Sequence, residues 1–98
     1  MDKKEILKQL GDLPEDIYDE IVRGFYEETR ERLKALSGAV AVSNWPEIVR
    51  LAHGIKGSSA NLRLIEIQAA AESLQRAAES NNQSEVSKSF ELLKSLMP

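Results

Sequence analysis

Apolar side chains recur every third or fourth residue through most of this chain instead of alternating, so its segments suit amphipathic helices and not half-buried strands. Gly and Pro punctuate that rhythm and mark where one helix gives way to the next. A short first helix is expected from Lys3 to about Leu10, with Ile6, Leu7 and Leu10 on one side and Gly11 as its terminator. Pro14 suits the first turn of a second helix, where Glu15 and Asp16 meet the positive end of the helix dipole. Ile17, Ile21, Phe25, Leu33, Leu36 and Val40 supply its apolar seam, and Gly24 weakens it locally. Run to about Val42, this helix has about 28 residues and is roughly 40 Å long, a length typical of bundles.

Asn44 and Glu47 form a start resembling a capping box for a third helix, with Pro46 tolerated in its first turn. Trp45, Ile48, Ala52, Ile55, Ser59 and Leu62 then make its seam, and Leu64, Ile67, Ala71, Leu74 and Ala78 make that of a fourth. Asn81 and Asn82 interrupt the pattern, Ser84 can cap, and Val86, Phe90, Leu93 and Met97 carry a fifth helix. The expected fold is all-α: an up-down-up-down four-helix bundle, with the short first helix closing one end.

At 98 residues, with 42% hydrophobic and 30% charged side chains, the chain suffices for one folded domain over residues 1–98. A net charge of −3 lacks the basic excess that nucleic acid or an anionic membrane surface demands, so neither is an expected partner. Cys is absent and His occurs once, which removes disulfides, thiolate nucleophiles and multi-His metal sites. Met1 to Leu10 mixes charges with apolar residues unlike a secretory leader, and no apolar run approaches the roughly 20 residues of a membrane span. A cytoplasmic setting is the expectation.

The single imidazole, His53, falls about 160 to 180° around the third helix from Ile55 and Leu62, and so points away from the seam. Val49 and Arg50 one turn before it, Lys56 and Gly57 one turn after, and Ala60 two turns after share that outward face. Gly57 and Gly54 each cost a helix interior roughly 1 kcal/mol relative to Ala. Two such costs beside one His suggest that a second surface comes close to the ring, while Lys56 can reach an anion attached to it. An ordinary surface histidine with tolerated glycines fits the same spacing.

The stretch Ala52-His53-Gly54-Ile55-Lys56-Gly57-Ser58-Ser59-Ala60-Asn61-Leu62 resembles the signature of the histidine phosphotransfer (HPt) family, with His, Lys and Gly as H-x-x-K-G. The resemblance implies a phosphoryl carrier. His53 would take the group from an aspartyl phosphate on a response-regulator receiver domain and pass it to another receiver Asp. Lys56 would balance the phosphate charge, and Val49, Arg50, Gly54, Gly57 and Ala60 would line the docking face. No cofactor is implied for this chain, since the partner receiver would hold the Mg²⁺. A hybrid sensor histidine kinase is the other implied partner, and the carrier is expected to act as a monomer without its own ATP site.

Family members often set a polar residue on the following helix beside the His, and the matching offset falls on Gln75, as an imidazole-orienting group or as a solvated side chain. Arg50 likewise has two readings: a contact to phosphate or partner acids, or an ion pair with Glu47. Arg63 stands where the family commonly has Gly, so either Asn61 takes up the left-handed conformation or the third helix runs further. Two other functions compete with the carrier: a docking module that binds a kinase or receiver without exchanging phosphate, and a hydrolase with His53 as general base, which lacks an evident nucleophile.

Overall fold

The computed structural model describes residues 1–98 and contains five helices and no strands: α1 (Lys3–Gln9), α2 (Glu15–Ala41), α3 (Trp45–Asn61), α4 (Ile65–Glu79) and α5 (Gln83–Ser95). Three of them start on one device, an Asp or Asn whose Oδ1 accepts the backbone N–H of a Glu three residues on. The pairs are Asp2 with Glu5 at 2.9 Å, Asn44 with Glu47 at 3.3 Å and Asn82 with Glu85 at 3.2 Å. Asn82 therefore replaces Ser84 as the cap of α5, because it already stands at the turn and Ser84 lies inside the first helical turn. α5 also ends at Ser95, so Met97 packs on the core from beyond the helix. Pro14 takes the N-cap position of α2, one residue outside the first turn. α2 runs straight through Gly24, and its 27 residues account for the 43 Å long axis of a molecule 21 by 20 Å across.

The last four helices are joined by three connections of one design. After α2, α3 and α4 the chain takes a left-handed residue, Ser43 (φ 52°), Arg63 (φ 60°) and Asn81 (φ 54°) respectively. Each is followed by a residue whose N–H returns to the helix just ended: Asn44 to Ala39 O, Leu64 to Ser59 O and Asn82 to Ala77 O, all at 2.9 Å. α3 neither shifts the left-handed turn to Asn61 nor runs on; it stops at Asn61, and Arg63 itself occupies the place that glycine would fill. The side chain compensates. Its guanidinium donates to Ala60 O at 3.2 Å and Asn61 O at 3.0 Å, two carbonyls at the end of α3, and to Gln9 Oε1 at 3.1 Å.

The core holds Leu36, Ile48, Ile55, Leu74, Val86 and Leu93, all wholly buried, with alanines 52, 71 and 78 letting the backbones approach. α3 packs most extensively on α4, then α4 on α5 and α2 on α3, and α2 touches α5 only slightly. On α2 the buried stripe differs from the expected seam. Ile17 and Ile21 are each 46% exposed, whereas Tyr18, Phe25, Thr29, Leu33, Leu36 and Ala39 face inward. Seen down the helix, that set centres on the line through Tyr18 and Leu36, and Ile17 and Ile21 lie about 60 to 100° from that centre, so partner placement chose between two stripes of similar spacing. α1 is tied on at its edges: Lys3 Nζ lies 2.6 Å from Asp19 and 3.3 Å from Glu15, and Gln9 holds Arg63. Ile6 is its one buried residue.

Candidate functional site

The rotation of α3 is set by Ile48, Leu51, Ala52, Ile55 and Ser59, which are buried, and that rotation leaves His53 exposed. The Ser59 hydroxyl, buried among apolar neighbours, is satisfied within its own helix by donating to Ile55 O at 2.7 Å or Lys56 O at 3.0 Å. Around His53 the surface is low. Gly57 is exposed and a Cβ added there would meet nothing within 4 Å. Val49, Lys56 and Ala60 are half-buried. Gly54 is half-buried too, and a Cβ on it would sit 3.6 Å from the guanidinium carbon of Arg32 on α2.

Arg50 and Gln75 are the two residues near His53 that the sequence left with two readings each. Arg50 is engaged with Glu47 through two hydrogen bonds, one of them Nε to Oε2 at 3.0 Å, and that guanidinium holds the Glu47 carboxyl below its usual range. Of its two readings, the ion pair is the one present. Gln75 makes no hydrogen bond to His53. It is half-buried on α4, with Oε1 sealed from solvent and without a hydrogen-bond partner. Arg32, by contrast, follows Arg30 and Glu31 in a charged stretch of α2, yet its guanidinium lies against α3 at the residue after His53. The signal that could have found it is the Tyr18, Phe25, Thr29, Leu36 stripe, which turns position 32 toward the flank of the bundle.

Beyond His53 along α3, a groove opens between α2 and α3, lined by Ile21, Phe25, Glu28, Ser58, Asn61 and Leu62. The end of α3 is pinned there by Tyr18, whose hydroxyl donates to Leu62 O at 2.6 Å, and burial raises the pKa of that phenol. No three His, Asp or Glu side chains converge as a metal-ligand set. What remains is an exposed imidazole on α3, one turn from the Lys56 cation and from the bare Gly57 position.

The Hpt domain family model matches residues 20–97, spanning α3 to α5 and most of α2. The chain belongs to the Hpt domain family. Hpt domains are phosphocarrier modules of phosphorelays, where they interact with receiver domains and kinases. His53, Lys56, Gly57 and Gln75 all lie inside the matched span, whereas α1 precedes it. No curated protein and no solved structure matches the chain. No helix of this Hpt domain is long and apolar enough to cross a membrane.

Proposed function

We propose that this Hpt domain relays a phosphoryl group between receiver-domain aspartates in a two-component phosphorelay, with His53 as the phosphoacceptor. The observation that carries this reading is the exposed His53 one turn from an exposed Gly57 whose Cβ position is open space. In the transfer, the unprotonated ring nitrogen of His53 attacks the phosphorus of an aspartyl phosphate. The N–P bond forms as the P–O bond breaks, and the electron pair leaves with the Asp carboxylate. The second transfer reverses this on another receiver Asp. Lys56 balances the phosphoryl charge, and Val49, Gly54, Gly57 and Ala60 let the receiver approach. Mg²⁺ belongs to the receiver pocket in this scheme, and the chain needs no ATP site. Gln75 is kept as a candidate for orienting the imidazole, its Oε1 being an acceptor without a hydrogen-bond partner.

The same reading treats residues 1–98 as one domain acting as a monomer in the cytoplasm, α1 being joined to the rest through Lys3 and Gln9. The three short connections support an up-down-up-down order for α2 to α5. The test is phosphotransfer from a phosphorylated receiver, followed by mass spectrometry of the acid-labile, alkali-stable adduct. Wild type should be labelled at His53 and His53→Gln should not, with unfolding of the variant within about 0.5 kcal/mol of wild type because the side chain is exposed. A chain that binds a receiver but is never labelled would be a docking module without phosphate exchange.

A further inference from the structure

We propose that Arg32 is a second cationic contact for the phosphoryl group, reaching it from α2 on the side of His53 opposite Lys56; the inference rests on His53 being the phosphoacceptor. Arg32 has an incomplete set of partners. Its Nη1 is buried with no hydrogen-bond partner, and Nη2 stands 3.7 Å from Glu28 Oε1, too far for a hydrogen bond. That Glu28 side chain is 69% exposed, so the attraction is screened by water. A guanidinium carries five N–H donors and cannot shed its charge, so a sealed donor without an acceptor is unfavourable unless an anion visits.

Its position fits such a visit. Carbon and nitrogen atoms of the guanidinium lie 3.6 to 3.8 Å from where a Cβ of Gly54 would stand, and Gly54 directly follows His53. Around α3, Gly54 is about 100° from His53 toward α2, while Lys56 is about 60° away in the other direction. A group attached to the imidazole therefore has Lys56 on one flank and Arg32 on the other. Turning the outer torsions of Arg32 slides its fork along the α2–α3 seam without moving either backbone. Because Gly54 has no side chain, nothing on that residue stands in the way. The three phosphoryl oxygens then offer Nη1 the acceptor it lacks, and the planar fork can hold two of them where Lys56 supplies a point charge.

The experiment uses the whole chain and phosphoramidate as a small phosphodonor: a ring nitrogen of His53 attacks phosphorus and ammonia leaves with the electrons of the broken P–N bond. In wild type, the Arg32 Nε–H resonance, assigned by its loss in Arg32→Gln, should shift on labelling, while that of Arg50, already bound to Glu47, should stay. Arg32→Gln should still be labelled at His53, but its phosphohistidine should hydrolyse about threefold faster or more, with Arg32→Lys recovering part of the lifetime. The reason is that a cation beside the phosphoryl group disfavours the ring protonation that speeds loss of phosphate. A merely structural Arg32 would change thermal unfolding and leave the resonance and lifetime unmoved, and that result overturns the inference. Arg32→Lys, which keeps the charge and lacks the Nε–H, assigns the same resonance, so the wild-type shift decides the matter even if Arg32→Gln folds poorly. Failure of wild type to be labelled by phosphoramidate or a phosphorylated receiver would instead remove the phosphoacceptor reading itself, and this inference with it.

Discussion

Replacing Gly57 should move stability and function in opposite directions. Gly57 lies inside α3, four residues before its last residue Asn61, and does not adopt a left-handed backbone that would need glycine. A Cβ there meets nothing within 4 Å, so a side chain adds no clash inside the protein. Only the helix term remains, and it favours the variant: Gly57→Ala should stabilise by about 1 kcal/mol, and Gly57→Gln by roughly half that because its longer side chain loses some freedom. For a domain of this size those changes correspond to a rise in Tm of about 4 to 8 °C and about 2 to 4 °C. The same Gln stands one turn from His53, about 40° around the axis, where the receiver must close on the ring. Transfer from a phosphorylated receiver should fall by at least ~10-fold, equivalent to about 1.4 kcal/mol of lost docking. Calorimetry together with a phosphotransfer time course reads both. If Gly57→Gln bound and transferred like wild type, this face would not be the docking site; if it were destabilised, the glycine would serve the fold.

Lys56→Ala should keep receiver affinity within about twofold while slowing transfer by ~10-fold or more, since it removes a charged contact to phosphate and leaves the docking surface open; stopped-flow transfer against titrated binding separates the two. Arg63→Ala should lose about 1 to 2 kcal/mol in urea unfolding, because Ala keeps the left-handed strain at φ 60° and gives up the guanidinium bonds to Ala60, Asn61 and Gln9; a variant as stable as wild type would show those bonds to be idle. Tyr18→Phe should cost about 1 kcal/mol through the lost bond to Leu62 O. Because burial raises the Tyr18 pKa above 10.0 in the folded protein, its contribution is complete below that value and fades as pH rises through the folded pKa. An alkaline decline in stability should therefore be smaller in Tyr18→Phe than in wild type, and equal declines would count against the linkage.

Much of the architecture was legible because it is local. The spacing of Ile48, Ala52, Ile55 and Ser59 orients α3 whatever lies opposite, and that spacing alone sends His53 outward. The Asn44 cap is local in the same sense, since a side-chain acceptor and a backbone donor three residues apart need no third element. Lys56 and Gly57 share the His53 face by the same helical arithmetic.

Other features depended on which surfaces meet. Ile17 and Ile21 form a stripe as regular as Tyr18, Phe25 and Thr29, and only the position of α3 and its neighbours decided which would be buried. Arg63 has no local signal for a left-handed turn; it holds one because its guanidinium finds the carbonyls of Ala60 and Asn61 and, across the fold, Gln9. Arg32 reads as one charge in a polar run, and becomes the neighbour of Gly54 only once α2 lies along α3. Periodicity along one helix determines which residues share a face, because the rise and turn of the backbone are set by its own hydrogen bonds. What each face touches is fixed by contacts between segments distant in sequence, and for Arg32 and Gly54 that contact exists only in the tertiary structure.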